Sequence, residues 1–361
     1  MPHSIDGTFR RSFKTNSMDE KDRLLLTYLQ NGLPLTPRPF EGWSAKIGLD
    51  SAELLVRIQR LKKEGTFGGI RAILDPRAFH YQGAWVAARF EPEGLVSAAE
   101  VFSRHPGVIY ICEREHEFNL WFFITVPEGQ DLELHVRCLG KLSGARRTLL
   151  LPVRKVFKGS DLLNSLDGET FPAMGEHFEK RQTAGSLDWT AAEIEMIRKL
   201  QEPFPLTDEP YQKIAADFGI TEAQVLETMK ALVKKGCLKR IGSFSKHGAA
   251  PSSAKTWVVW QIPEEKLERI GLEIAEFTEV LYADWRPAFS ELPYSLYGVV
   301  RAGAPEEIEG LARRMQERIG KWPYRVMVTV LELKKERIRY FPKEMDAWWR
   351  ESHHVEETAF H

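Results

Sequence analysis

Cations, one histidine and several aromatic side chains are concentrated between residues 239 and 301 of this 361-residue sequence. The stretch is predicted to form β-sheet, in which charged side chains normally point to water. Here the cations interleave with aromatic rings, an arrangement that suits a pocket for a flat ligand carrying many carboxylates. The simpler interpretation is an amphipathic sheet with solvated Lys and Arg side chains, because most charges on a protein have no special role.

The bulk composition limits the class of protein. A chain of 361 residues with 43% hydrophobic and 28% charged residues is typical of a soluble globular protein of about two to four domains. The formal net charge of −1 gives no overall field that would hold a polyanion such as DNA. Residues 1–17 lack the apolar core of a signal peptide, and we expect a disordered arm there. No apolar run is long enough to span a membrane.

The three cysteines, Cys112, Cys138 and Cys237, lie far apart and form no CxxC pair. This spacing argues against a structural zinc site and against an Fe–S cluster held by this chain alone. Few, unpaired cysteines suit a reducing compartment, so we expect a cytoplasmic protein.

The chain contains a tandem duplication. With a constant offset of 171 residues (219 minus 48), Gly48 falls on Gly219 and Gly65 falls on Gly236, without a gap over about forty positions. Each copy therefore preserves its helix breakers together with its apolar period, which chance does not do.

The duplicated segment begins with three predicted helices. In the first copy they cover residues 21–29, 39–47 and 52–63, with Asp19 and either Asp50 or Ser51 as N-caps. A hairpin of strands 69–74 and 84–90 is predicted to follow. This order is that of a winged helix-turn-helix.

The remainder of each copy alternates as β-α-β-β-α-β and ends in a strand, predicted over residues 148–156 and 324–333. This is the order of a ferredoxin-like sandwich, which buries a core on its helix face only, so we expect the other half of the chain to cover the open face. The predicted units are a disordered arm 1–17, winged helix-turn-helix domains 18–80 and 187–250, ferredoxin-like domains 81–160 and 251–345, a linker 161–186 and a C-terminal tail 346–361.

This layout resembles the Lrp/AsnC transcription regulators, and several motifs resemble a branch of that superfamily, the siroheme decarboxylases. The run CEREHEFNLWF at 112–122 is similar to the family signature YEREHxFNLWF. RIG at 240–242 with Lys246-His247, and PYSLY at 293–297, are similar to RRxGxxxRH and WPYNLY. The resemblance covers residues 18–345 and implies an α+β Lrp/AsnC-like pseudo-dimer, in which one fused chain replaces two homologous subunits.

The chain departs from the family pattern at a few positions. Cys112 stands where the family often has Tyr, Leu292 where it has Trp, Ser295 where it has Asn, and Arg301 where it has His. These differences concern contacts to the substrate rather than the fold.

The resemblance implies siroheme as the substrate, an iron tetrapyrrole with eight carboxylates that loses two ring acetate carboxyls. The ring needs aromatic walls, the remaining carboxylates need cations, and each carbon that loses CO2 needs a proton. Arg binds carboxylates with two hydrogen bonds, and His has a pKa near working pH. We predict His247 (also a candidate iron contact) and Arg240 as catalytic; Lys239, Lys246, Trp260, Tyr282, Arg286, Tyr294, Tyr297 and Arg301 as substrate-binding; and Arg114 and His116 as secondary residues of the first half.

One working pocket is expected. The first half has Gly68-Gly69 where the second has Lys239-Arg240, so we predict a pocket in the second half, with the first half as scaffold and lid. No cofactor is expected beyond the iron tetrapyrrole substrate.

Two other functions stay open. The helix-turn-helix units would suit a DNA-binding regulator. Their candidate recognition helices, the third of each copy, begin with carboxylates such as Glu53 and Glu222 where phosphates would lie, so we expect no DNA partner. A non-catalytic haem-binding protein would carry the same binding residues. Expected partners are siroheme and its decarboxylated product, other haem-pathway proteins and a second copy of the chain in a homodimer, with no membrane.

Overall fold

The computed structural model describes residues 18–66, 68–159, 188–243 and 254–352. The predicted arm 1–17, the linker 161–186 and the tail beyond residue 352 lie outside these ranges, so the predicted domain boundaries stay predictions. None of the described helices is long and apolar enough to cross a membrane.

Each half begins with three helices, as predicted from the duplication. Asp19 and Asp50 accept hydrogen bonds from the first-turn backbone of their helices, and Thr190 and Thr221 do the same in the second half. The helices are α1 (Glu20–Asn31), α2 (Glu41–Ile47) and α3 (Ser51–Lys63) in the first half, and α6 (Ala191–Leu200), α7 (Pro210–Phe218) and α8 (Glu222–Lys234) in the second.

The glycines matched by the duplication end equivalent helices. Gly48 after α2 and Gly219 after α7 have φ angles of 68° and 64°, in the left-handed region that favours glycine. The repeat in the sequence is therefore a repeat in the backbone.

The predicted wing hairpin is wrong. Strand β1 (Arg71–Leu74) pairs instead with β7 (Leu238–Gly242), so each half contributes one strand to a shared two-stranded sheet. The predicted second wing strand is part of β2 (Tyr81–Arg89), which belongs to the larger sheet that follows. Strand patterns in a sequence do not specify their partners, because pairing is non-local.

Two five-stranded sheets form the rest of the molecule, with helices on one face of each. Their elements are α4 (Leu95–Arg104), β3 (Val108–Arg114), β4 (Leu120–Pro127), α5 (Leu132–Ser143), β5 (Arg147–Leu151), β6 (Lys155–Lys158), β8 (Ala254–Trp260), α9 (Glu264–Ala275), β9 (Val280–Trp285), β10 (Leu296–Ala302), α10 (Glu307–Ile319), β11 (Tyr324–Met327) and β12 (Thr329–Lys335), together with β2. The first sheet has the strand order β12-β3-β4-β2-β5 and the second has the order β11-β8-β10-β9-β6.

The halves exchange their last strands. The strand predicted over 148–156 is two strands, β5 on the first sheet and β6 on the second, separated at Pro152, which has no N–H to continue a ladder. The strand predicted over 324–333 is likewise divided at Val328 into β11 and β12, and β12 pairs with β3 of the first sheet. Each half thus completes the sheet of the other.

The open faces of the two sheets cover each other, as predicted. Trp85, Trp121 and Phe123 of the first sheet pack with Trp257 and Tyr297 of the second in one buried core. The helix faces form separate cores beneath α4 and α5 and beneath α9 and α10.

Gly271→Ala is expected to destabilise the protein through the exchanged strand β6. A Cβ at Gly271 of α9 would lie 2.4 Å from the Phe157 ring of β6, so the ring would have to move at a cost of about 1–3 kcal/mol. Urea unfolding measures this loss. Gly310→Ala on α10, where a Cβ meets nothing within 4 Å, is the control and should be neutral or slightly stabilising. Equal stabilities of the two variants would contradict the predicted packing.

The described part of the C-terminal tail packs on the first half. Helix α11 (Glu344–Ser352) places Trp348 and Trp349 over the buried His105 and His135, with ring centroids 4.2 Å apart for Trp348–His105 and 4.4 Å for Trp349–His135. Gly107 N–H donates to His105 Nδ1 at 2.9 Å, so His105 carries its proton on Nε2 and donates to His135 Nδ1, also at 2.9 Å.

The histidine pair predicts a loss of stability in acid. Burial lowers the pKa of His135 to about 4, whereas an unfolded His has a pKa of about 6.5. The unfolded state then binds more protons below pH 6.5, so this contribution is present above that pH and falls by about 2 kcal/mol by pH 5. Urea unfolding at pH 7 and pH 5 measures it. The variant His105→Gln/His135→Gln should show a smaller fall, and an unchanged fall would contradict the assignment.

Candidate active site

Arg286 lies in the core between the sheets, where it forms an ion pair with Asp284. Asp284 is on strand β9 and Arg286 directly follows the strand, so the two side chains, two residues apart, point to the same inner face. The guanidinium Nε and Nη2 donate to the Asp284 carboxylate at 2.8 and 2.7 Å, and both residues are at most 1% exposed. Burial raises the pKa of Asp284, and the neighbouring guanidinium opposes this rise.

Arg114 reaches the same core from the first sheet. It ends strand β3 and is 2% exposed. Its Nη1 donates to the Met327 carbonyl at 2.8 Å, whereas Nε and Nη2 have no hydrogen-bond partner among the described residues.

Aromatic rings connect the two arginines. The Arg286 guanidinium lies 4.2 Å from the Trp257 ring centroid and 4.5 Å from that of Tyr297. Arg114 lies 5.6 Å from Trp257 and 5.3 Å from Trp121. We call these five residues the arginine–aromatic cluster. Because Trp257 contacts both cations, the cluster is composite and draws on both halves.

His116 and Tyr294 border the cluster on its more exposed side, with ring centroids 6.4 Å apart. His116 Nδ1 accepts from the Phe118 N–H at 3.0 Å, which leaves the proton of the neutral ring on Nε2. Burial lowers the pKa of His116 to about 4, with Arg325 and Arg114 adding to the effect. His116 is therefore neutral near pH 7 and can donate one hydrogen bond.

Two tyrosines predicted from sequence lie in the same core. The Tyr297 hydroxyl has no hydrogen-bond partner among the described residues, and burial raises its pKa, so it stays protonated. Tyr282 is buried beside Asp284, and its hydroxyl helps to lower the pKa of that carboxyl.

Four predicted residues do not join the cluster. Lys239 and Arg240 are on β7, between the helix-turn-helix units, where Lys239 pairs with Asp75 at 3.3 Å. Trp260 packs under the helices, since alternation along β8 turns Trp257 inward and Trp260 to the opposite face. Arg301 is exposed at the end of β10.

The predicted residues Lys246 and His247 lie outside the described residues. Their roles stay predictions. Within the described ranges, no group of three His, Cys, Asp or Glu side chains could hold a metal ion.

Three features of this site were not predicted from the sequence: Trp121, Trp257 and the first-half pair Tyr110–Glu332, whose oxygens lie 2.5 Å apart. Arg114 and His116 were predicted only as secondary residues, although they lie beside Trp257 and Tyr294 of the second half. A signal was present, because Trp121 follows Arg114 within the CEREHEFNLWF run. The first half thus contributes side chains to the cluster directly, and its role as scaffold and lid stays a prediction.

The arrangement suits an aromatic polyanion. Two buried guanidiniums offer planar hydrogen-bond donors, and the flanking indole and phenol rings offer flat apolar walls. Arg114 Nε and Nη2, the Tyr297 hydroxyl and Arg286 Nη1 are donors that have no hydrogen-bond partner in the part of the chain that the structure describes.

Comparison with known families accounts for both parts of each half. The siroheme decarboxylase NirDL-like helix-turn-helix domain matches residues 22–67 and 193–238, and the AsnC-like ligand-binding domain matches residues 80–158 and 252–334. The duplication predicted from the sequence is thereby confirmed.

Individual relatives agree with the family matches. A siroheme decarboxylase of Hydrogenobacter thermophilus is 31% identical over 329 residues, covering 91% of this chain and 97% of the relative. The siroheme decarboxylase beta subunit of Methanosarcina barkeri is 31% identical over 147 residues, 41% of this chain and 97% of that subunit. The crystal structure of the siroheme decarboxylase NirDL with an iron-uroporphyrin III analogue has a TM-score of 0.71 and 26% identity, covering 93% of this chain and 99% of that one. The chain, with its α+β tandem architecture, therefore belongs to the siroheme decarboxylase family, in a form that fuses two homologous halves.

Proposed function

We propose that this chain is a siroheme decarboxylase that removes the ring acetate carboxyls at carbons 12 and 18 without oxidation, giving 12,18-didecarboxysiroheme. The observation that carries the proposal is the similarity to the Hydrogenobacter enzyme over nearly the full length of both chains. The arginine–aromatic cluster supports it, since siroheme is a flat ring with eight carboxylates. The enzyme would be a carbon–carbon lyase, a carboxy-lyase.

The chemistry requires little beyond binding and one proton at each site of cleavage. When the bond between the acetate methylene and its carboxylate breaks, CO2 leaves and its electron pair stays on the methylene carbon. One proton then converts that carbon to a methyl group, so no oxidant or reductant is consumed. Cations that hold the spectator carboxylates orient the ring for this step.

Proton donors are available around the cluster. The neutral His116 carries its proton on Nε2, and Tyr297 keeps its hydroxyl proton because burial raises its pKa. We retain His247 as the proposed donor to the methylene carbon, because histidine side chains commonly serve as general acids. Arg240, on β7, stays a proposed catalytic residue and Lys246 a proposed substrate contact.

The remaining proposals concern partners. We propose that no cofactor is needed beyond the iron tetrapyrrole substrate. We also propose that the protein is cytoplasmic and that DNA is not a partner. Relatives such as the Methanosarcina beta subunit match only one half of this chain. The fused chain would therefore work without a second type of subunit, alone or as a homodimer.

The test is anaerobic incubation of the purified chain with siroheme, followed by mass analysis of the extracted tetrapyrrole. The expected result is the loss of two CO2, largely abolished in His247→Ala. Tight binding without loss of mass would identify a haem-binding protein and overturn the proposal. Absence of binding, together with salt-dependent binding to duplex DNA, would favour the regulator instead.

A further inference from the structure

On the face that meets the other sheet, the two halves carry the same residue type at two of three equivalent positions. Tyr110 and Arg114 on β3 correspond to Tyr282 on β9 and to Arg286, the residue that follows β9, at a constant offset of 172 residues (286 minus 114). The position between them is Cys112 in the first half, where the second half has Asp284. A neutral thiol thus replaces a carboxylate beside one of two buried arginines.

This difference changes the charge balance around each arginine. Arg286 makes three hydrogen bonds to Asp284, between 2.7 and 3.1 Å, and the pair is neutral as a unit. Arg114 makes one to a backbone carbonyl and forms no salt bridge with a described residue. The Cys112 thiol beside it is buried, and burial raises its pKa, so it supplies no negative charge.

Glu332 is the carboxylate that faces this part of the first sheet, and it is used elsewhere. Strand β12 places it opposite Cys112, where it accepts from the Tyr110 hydroxyl at 2.5 Å and pairs with Lys335 at 3.7 Å. An unpaired buried guanidinium is costly in free energy. The counterion of Arg114 must therefore come from outside the described residues, and the carboxylate of a bound ligand would serve as that counterion.

We propose that Arg114 anchors one carboxylate of the bound tetrapyrrole, and that Asp284 occupies the equivalent place beside Arg286, so that the chain holds one tetrapyrrole rather than two. This inference rests on the proposed function. The anchoring cation then lies in the first half, whereas the sequence predicted a pocket in the second half. His116, two residues beyond Arg114, carries its proton on Nε2.

The test supplies Arg114 with an internal counterion. Cys112→Asp reproduces the second-half arrangement, and its carboxylate should pair with the Arg114 guanidinium. Cys112→Asn introduces a side chain of the same size without the charge. Each variant and the unaltered chain are titrated with iron uroporphyrin III, followed by Soret absorbance. We expect one equivalent bound by the unaltered chain, a Kd raised on the order of 10- to 100-fold in Cys112→Asp, and a Kd within about fivefold in Cys112→Asn.

Each other outcome has a defined meaning. Two equivalents bound by the unaltered chain, or equal affinities of the Asp and Asn variants, would overturn the inference. If the unaltered chain still decarboxylates siroheme in those cases, the proposed function stands. A chain that neither binds nor converts tetrapyrrole overturns both. If Cys112→Asp does not fold, Arg114→Met takes its place, and an unchanged Kd in that variant overturns the inference equally.

Discussion

Arg114→Met is expected to lower kcat/KM for siroheme decarboxylation by about 10²- to 10³-fold, or about 3–4 kcal/mol of transition-state stabilisation. The guanidinium has two buried donors without partners in the described structure, and a substrate carboxylate would pair with them. Loss of one partner from such a desolvated charge pair costs about 2–5 kcal/mol. Met keeps much of the volume and the contact with the Trp121 and Trp257 rings while removing the charge.

The same substitution should not destabilise the fold. It removes a buried charge that no described residue neutralises, so the free energy of unfolding in urea is expected to stay the same or to rise. Arg154→Met is the control, because Arg154 also lies over an indole ring, at 5.8 Å from Trp285, but is exposed. Its activity should stay within about twofold. A stable Arg114→Met protein with unaltered kcat/KM would remove Arg114 from the site.

Local features of the fold were predictable from the sequence. Side chains such as Asp19 and Asp50 cap helices through contacts within three residues, and Gly48 and Gly219 end helices through their own backbone preference. These effects act within one turn of chain, so they survive in any tertiary context. The order of strands and helices follows from the same local periods.

The pairing of strands was not predictable in this way. The residues of β6 and β12 do not themselves specify that each strand pairs with the opposite sheet. The residues of β1 likewise do not specify β7 as its partner. These contacts join segments far apart in sequence, and their free energy depends on which surfaces remain uncovered after the halves form. Pro152 marks the break between β5 and β6, although the break alone does not give the new partner.

In the site, too, local features were predictable from the sequence and contacts between distant segments were not. Alternation along β8 separates Trp257 from Trp260 but does not say which face meets the other sheet, and Trp260 was assigned to the wrong one. The difference between Cys112 and Asp284, in contrast, is visible once the two halves are aligned. An Asp two residues before an Arg on a buried strand predicts an ion pair on one face, so Arg286 could have been recognised as internally neutralised.

Asp284→Asn is expected to destabilise the protein by about 3–5 kcal/mol, because it leaves the guanidinium of Arg286 uncompensated in a site that is almost fully buried. The loss would appear as a lower urea midpoint with an unchanged slope. Glu268→Gln is the matched control, since it breaks the exposed pair Lys155–Glu268 and should cost about 0–1 kcal/mol.

A second substitution separates the charge from the packing. Adding Arg286→Met to Asp284→Asn removes the uncompensated cation and keeps an apolar side chain against Trp257 and Tyr297, so most of the lost stability should return. A double variant that is less stable than Asp284→Asn would show that contacts of the Arg286 side chain, rather than its charge, dominate this site. Recovery in the double variant, set beside the unimpaired stability of Arg114→Met, would show that one buried arginine is neutralised within the protein and the other is left for a ligand.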